Sequence, residues 1–127
     1  MIKNILLVGL GGGIGSIARY SIQRWFASNY SYTFPWGTFA VNITGCFLIG
    51  IFWGLSFSSF DNNAPMEIGG KLFLMTGLCG GFTTFSAFTL EGIGLIKEQK
   101  LALFFLYAAT SVILGLLATY AGMKLIR

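Results

Sequence analysis

The sequence predicts an all-α integral membrane protein of four transmembrane helices, the third of them broken. Three observations carry this reading. Of 127 residues, 55% are hydrophobic and only 9% charged, with a mean hydropathy of +0.77, which is too little charge to cover a water-soluble domain of this length. A helix crossing hydrocarbon needs about 20 mostly apolar residues, and the windows 4–26, 36–57, 70–97 and 101–124 supply four of them. Those windows leave little chain over, so residues 1–127 read as one membrane domain. Finally, the third window contains Gly77-Leu78-Cys79-Gly80-Gly81-Phe82-Thr83-Thr84-Phe85-Ser86-Ala87-Phe88-Thr89, where three glycines in five residues precede two β-branched threonines. Such residues propagate a helix poorly. The backbone groups freed by a break inside a bilayer must be satisfied by protein, or by a cavity holding water or an ion. The run reads either as a glycine-rich packing seam or as an ion site built on an interrupted helix.

In the first window, Gly9–Gly13 and Gly11–Gly15 are pairs of small residues four apart, which permit close helix approach. The glycine cluster is not a nucleotide-binding loop, because no strand precedes it and no basic residue closes it. Arg19 lies deeper than Arg24, which snorkels to the interface; Arg19 is expected to face a bundle interior or a water-filled vestibule. Pro35 suits a helix start and Trp36 the membrane interface. On the second window Thr38 and Asn42, at i and i+4, share a face; Asn42 serves as interhelical glue or as an amide donor to an anion. Gly50 and Gly54 form another small-residue pair. The polar stretch 58–67 is the one clearly soluble, turn-rich loop. On the fourth window Tyr107 and Ser111 share a face, while Thr110 and Thr119 are expected to bond back to their own helix.

Several functions are excluded by what the chain lacks. It has no histidine, no paired carboxylates and no serine beside a base, so enzyme chemistry has nothing to stand on. The formal charge of +4 comes from residues scattered near segment ends, which gives no nucleic-acid surface. Cys46 and Cys79 lie inside apolar windows without metal-ligand spacing and read as packing residues rather than a disulfide.

Charge also bears on orientation. Four spans put both termini and the 58–67 loop on one side, with Lys3, Lys71, Lys124 and Arg127; Arg19, Arg24, Lys97 and Lys100 fall on the other. Four against four gives the positive-inside rule nothing to act on. The chain either inserts both ways, allowing two opposed copies to pair about a twofold axis in the membrane plane, or has its orientation decided by a small bias.

Taken together, the run from Gly11 to Tyr20 with Arg19, the Trp36-Gly37-Thr38-Phe39-Ala40-Val41-Asn42 run with Gly45, and Gly77-x-x-Gly80-Gly81-Phe82-Thr83-Thr84-Phe85-Ser86-x-Phe88 resemble the fluoride-channel family known as Fluc or CrcB. The resemblance covers nearly the whole chain. It implies a passive fluoride channel of the cell (inner) membrane that exports fluoride and reduces its toxicity. It also implies an antiparallel, dual-topology homodimer with two pores and a structural sodium ion at its centre. Phe85 and Phe88 correspond to the pore-lining rings, Asn42 to the second-helix amide, and Ser86, Thr89 and Ser111 to the polar-track hydroxyls, with Thr38 and Tyr107 alongside the pathway. Gly80 and Thr83 match the positions whose backbone carbonyls hold sodium. One departure is Gly115, where some relatives carry a second hydroxyl one turn after Ser111.

The residue types suit that chemistry. A small, strongly hydrated anion enters a low-dielectric path only if its water is replaced. Asn42 offers two amide donors and each hydroxyl one. Phenylalanine rings are positive at the edge, so Phe85 and Phe88, at i and i+3, can turn ring hydrogens toward an anion. Neutral donors also bind weakly enough to release. The competing class, a small dual-topology proton-coupled exporter, needs a titratable carboxylate deep in the bundle, and only Glu91 lies near membrane depth. A structural assembly subunit would explain the glycine seams but not the Asn/Thr/Phe/Ser constellation.

Overall fold

The computed structural model describes residues 1–30, 33–57 and 66–126; the predicted loop at 58–67 falls mostly outside them, as does Arg127. Every element among the described residues is helical. Helix α1 spans Ile2–Asn29 and α2 Trp36–Phe57. The third crossing comprises α3 (Ile68–Lys71), a π-helical segment (Leu72–Cys79), the short turn α4 (Gly80–Phe82) and α5 (Phe85–Lys97). Helix α6 spans Leu101–Leu125. Four stretches, Ile2–Asn29, Trp36–Ser56, Ile68–Lys97 and Leu101–Leu125, are long and apolar enough to cross a bilayer. The chain is a multi-pass membrane protein.

Pairing between helices is set by glycines that let backbones touch. A methyl added at Gly15 would run into the Leu78 carbonyl and come within 2.8 Å of the Phe82 nitrogen; one at Gly11 would meet the Phe73 carbonyl. Helix α1 therefore lies directly on the π-helical backbone, with Gly77 and Gly81 returning the contact from the other side. The Gly9–Gly13 pair differs from the sequence expectation. Among the described residues nothing lies within 4 Å of where a side chain on either would be, because that face of α1 points away from the third crossing.

A second glycine seam joins α2 to α6. Gly50 meets the backbone at Thr119 and Met123, Gly54 meets Met123 and Ile126, and Gly115 faces Cys46. Position numbers on the two helices rise together, with a constant offset of 69 (115−46, 119−50 and 123−54). The helices therefore run parallel, as the second and fourth crossings of a four-span chain must. The same offset sets Asn42 opposite Ser111 and Thr38 opposite Tyr107. A π-helical stretch, by its wider winding, is found mostly near functional sites, and here it ends at Cys79, one short turn before the break. The turn from α5 to α6 closes with Gln99 in the left-handed region (φ 60), Gln99 N–H donating to Ile96 and Lys100 N–H to Leu95.

The interior is small. Val41 and Tyr107 are fully buried, and Thr38, Ser56, Cys79, Phe82 and Leu95 nearly so. The outside is studded with exposed leucine, isoleucine and aromatic side chains, the surface expected where lipid replaces water.

Candidate functional site: a cleft at the helix break

The break is built by the residues that end α4 and start α5. Thr83 (φ −88, ψ 155) and Thr84 (φ −149, ψ 118) are extended, as β-branched residues prefer. Thr84 caps α5, its Oγ1 accepting from Ala87 N–H at 3.2 Å. Side chains then engage the backbone around the break. Asn42 Nδ2 donates to the Thr84 carbonyl (3.0 Å) while Thr84 N–H donates to Asn42 Oδ1 (2.7 Å). Arg19 Nε donates to the Gly81 carbonyl at 3.0 Å. Thr83 turns its Oγ1 back to the Cys79 carbonyl (2.9 Å).

Among the carbonyls that these contacts leave without their helical donors are those of Gly80 and Thr83. In a continuous helix the Gly80 carbonyl would take Thr84 N–H and the Thr83 carbonyl would take Ala87 N–H. Both amides donate to side chains instead. Gly80 is exposed, and nothing lies within 4 Å of where its side chain would be.

Beside the break opens a cleft of about 460 Å³ between α2, the third crossing and α6. Of the residues singled out from the sequence, Asn42, Gly80, Thr83, Phe85, Phe88 and Ser111 all line it. Phe85 and Phe88 lie with centroids 5.8 Å apart, and Phe85 is 76% exposed. The Ser111 Oγ is buried and has no hydrogen-bond partner among the described residues. A buried hydroxyl left in that state calls for an explanation.

The other candidates fall elsewhere. Ser86 and Thr89 are exposed on α5, Ser86 Oγ within 3.3 Å of Thr84 Oγ1 and Thr89 Oγ1 donating to the Ser86 carbonyl. Thr38 and Tyr107 stand one turn beyond the cleft. Tyr107 is fully buried between Phe34 (5.3 Å) and Phe88 (5.0 Å), its hydroxyl also unpartnered among the described residues. Thr38 Oγ1 donates to Glu91 at 2.6 Å and accepts from Gln23 Nε2 at 3.0 Å. These three residues line a second cleft of about 380 Å³ together with Glu98, Phe34 and Trp36.

Gln23 and Cys46 were not singled out as site residues from the sequence. Gln23 lies one turn beyond Arg19 on the same face of α1, a spacing that carries the signal once Arg19 is placed inward. Thr110 and Thr119 bond back to the Leu106 and Gly115 carbonyls, as expected of hydroxyls in apolar helices.

Comparison with known proteins agrees with this architecture. Residues 6–123 match the family model described as CrcB-like protein, Camphor Resistance (CrcB). The chain is similar to a protein of Flavobacterium psychrophilum named fluoride-specific ion channel FluC, with 45% identity over 121 residues covering 95% of this chain and 94% of that one. Proteins of the same name from Phocaeicola vulgatus (47% over 120 residues, 94% and 95% covered) and Rhizobium etli (45% over 122 residues, 96% and 94% covered) are comparably similar. With residues 6–123 of its 127 matching the family model, this chain belongs to the CrcB family.

Proposed function

We propose that the chain is a passive fluoride channel of the cell (inner) membrane, not an enzyme, and that it lowers the internal fluoride load. The observation that carries this is the cleft itself. It gathers an amide, an unpartnered buried hydroxyl and two phenylalanine rings, and no charged side chain, along one path. One N–H of the Asn42 amide is held by Thr84, and the second remains for an anion. Ser111 supplies an O–H with no competing acceptor, and Phe85 and Phe88 supply ring edges. Such neutral donors replace part of fluoride's water without trapping it. That the similar proteins are named fluoride-specific channels supports fluoride as the ion.

The assembly in this reading is an antiparallel homodimer with two pores. Its support is the four-against-four balance of basic residues, together with an apolar face at Phe85 and an open Gly80 surface where a second copy fits. In this reading Thr38 and Tyr107 continue the pathway one turn beyond the cleft, Ser86 and Thr89 lie along α5 beside it, and Arg19 borders a vestibule. A structural sodium ion at the dimer centre fits the donor set. Gly80 and Thr83 each present a carbonyl released from helical bonding, and hard oxygens suit a hard cation. When bound, the ion would supply positive charge to the Gly80 and Thr83 carbonyl oxygens that would hold it. The chain's own residues hold the break open: Asn42 and Thr84 keep the backbone extended, and Arg19 takes the Gly81 carbonyl.

The test is efflux from liposomes carrying the purified protein, with fluoride, chloride and an imposed pH gradient as separate arms. Fluoride efflux that runs down its own gradient, with little chloride efflux, is expected. Fluoride movement that stops without a proton gradient would instead identify a proton-coupled exporter working through Glu91.

A further inference from the structure

The parallel register of α2 and α6 arranges the site as a ladder. Thr38 faces Tyr107, Asn42 faces Ser111, and Cys46 faces Gly115. The third rung is direct: a Cβ placed on Gly115 would sit 3.4 Å from Cys46 Sγ. Helix α6 therefore presents no side chain one turn beyond Ser111, and the atom standing against that gap is a thiol from the neighbouring helix. Cys46 also lines the 460 Å³ cleft with Asn42, Phe85 and Ser111, and it is a free thiol. The next rung offers no alternative donor, because Gly50 has no side chain and Thr119 spends its hydroxyl on the Gly115 carbonyl (3.0 Å).

We propose that the Cys46 thiol continues the line of donors past Ser111, taking on α2 the role that α6 gives up at Gly115. Donors are spaced four residues apart, about 6 Å along the axis, from Asn42 to Cys46 on a single face. The S–H is a weak donor, so it marks the end of the line, where an ion must be given up rather than held. A side chain at 115 would place its Cβ in ordinary van der Waals contact with the Cys46 thiol, so the two positions address the same part of the cleft. The inference rests on the reading of the cleft as a fluoride path.

The experiment is fluoride efflux per reconstituted dimer for Cys46→Ala, Cys46→Ser and the double variant Cys46→Ala/Gly115→Ser. Cys46→Ala is expected to slow efflux about two- to threefold, the low end of the worth of one lost donor because S–H donates weakly. Cys46→Ser should conduct faster than Cys46→Ala, and the double variant should recover most of the loss by moving the donor across the rung. Separately, fluoride should slow alkylation of Cys46 in the wild-type protein by a small uncharged maleimide. Efflux unchanged in Cys46→Ala overturns the proposal. So does a slowed Cys46→Ala that stays slow in an intact double-variant dimer, since the thiol would then act only in packing. If wild-type liposomes fail to pass fluoride but fluoride still protects Cys46, the channel reading falls and the thiol contact stands.

Discussion

Asn42 and Thr84, 42 residues apart, exchange two hydrogen bonds, 3.0 Å from the amide to the Thr84 carbonyl and 2.7 Å from the Thr84 N–H to the amide oxygen. The side chain reproduces what a neighbouring strand would give, and so keeps two residues extended between two helices. The same amide lies in the cleft, so the residue that shapes the break is also placed to meet the ion.

Replacing Asn42 by Asp should therefore fail twice. Aspartate keeps the acceptor for Thr84 N–H but loses the donor to its carbonyl, leaving a part-buried group unsatisfied at a cost of about 1–3 kcal/mol. It also puts a negative charge beside an anion path. Thermal unfolding in detergent should show the loss of stability, and liposome efflux should fall by at least about tenfold. Wild-type efflux from the variant would remove Asn42 from the pathway.

Phe85→Ile and Phe88→Ile keep apolar bulk but remove the ring quadrupole. Packing should survive, more readily for the largely exposed Phe85 than for Phe88, which touches Tyr107. Efflux per dimer should drop in both, with dimer content checked by gel filtration. Full flux in both variants, with dimers intact, would sink the pore assignment.

Gly15→Ala and Gly13→Ala make a matched pair. The first pushes a methyl into the Leu78 carbonyl and should cost about 1–3 kcal/mol through separation of α1 from the third crossing. The second enters open space and should be neutral or stabilising by up to about 1 kcal/mol. Melting temperatures of the two in one detergent decide the matter; equal destabilisation would argue against backbone-on-backbone packing.

Orientation can be read by labelling. On a background lacking Cys46 and Cys79, single cysteines at Lys3 and at Gln99 sit at opposite ends of the bundle. An antiparallel dimer predicts that each is modified from both faces of the membrane by an impermeant reagent. Modification of each from one face only would establish a single topology.

What the sequence determined by itself was the solvent and the helices. Composition and hydropathy decide that the chain lives in lipid, because about 20 apolar residues in a row have no other stable setting. The glycine–threonine run marks where helix propensity is weakest, and the crossing breaks inside it, at Thr83 and Thr84 rather than at the glycines. The Gly11–Gly15 and Gly50–Gly54 pairs were legible for the same local reason. Which faces meet was not. Gly9–Gly13 has the spacing of Gly11–Gly15 yet meets none of the described residues, and spacing along one helix cannot say which side its neighbour takes. The partners of Asn42, Arg19 and Thr38 lie 42, 62 and 53 residues away in sequence, at Thr84, Gly81 and Glu91. Only the parallel register of α2 and α6 sets Asn42 opposite Ser111 and Cys46 opposite Gly115. That register is decided by backbones closing at glycine on two helices at once, a property of the pair that neither helix carries alone.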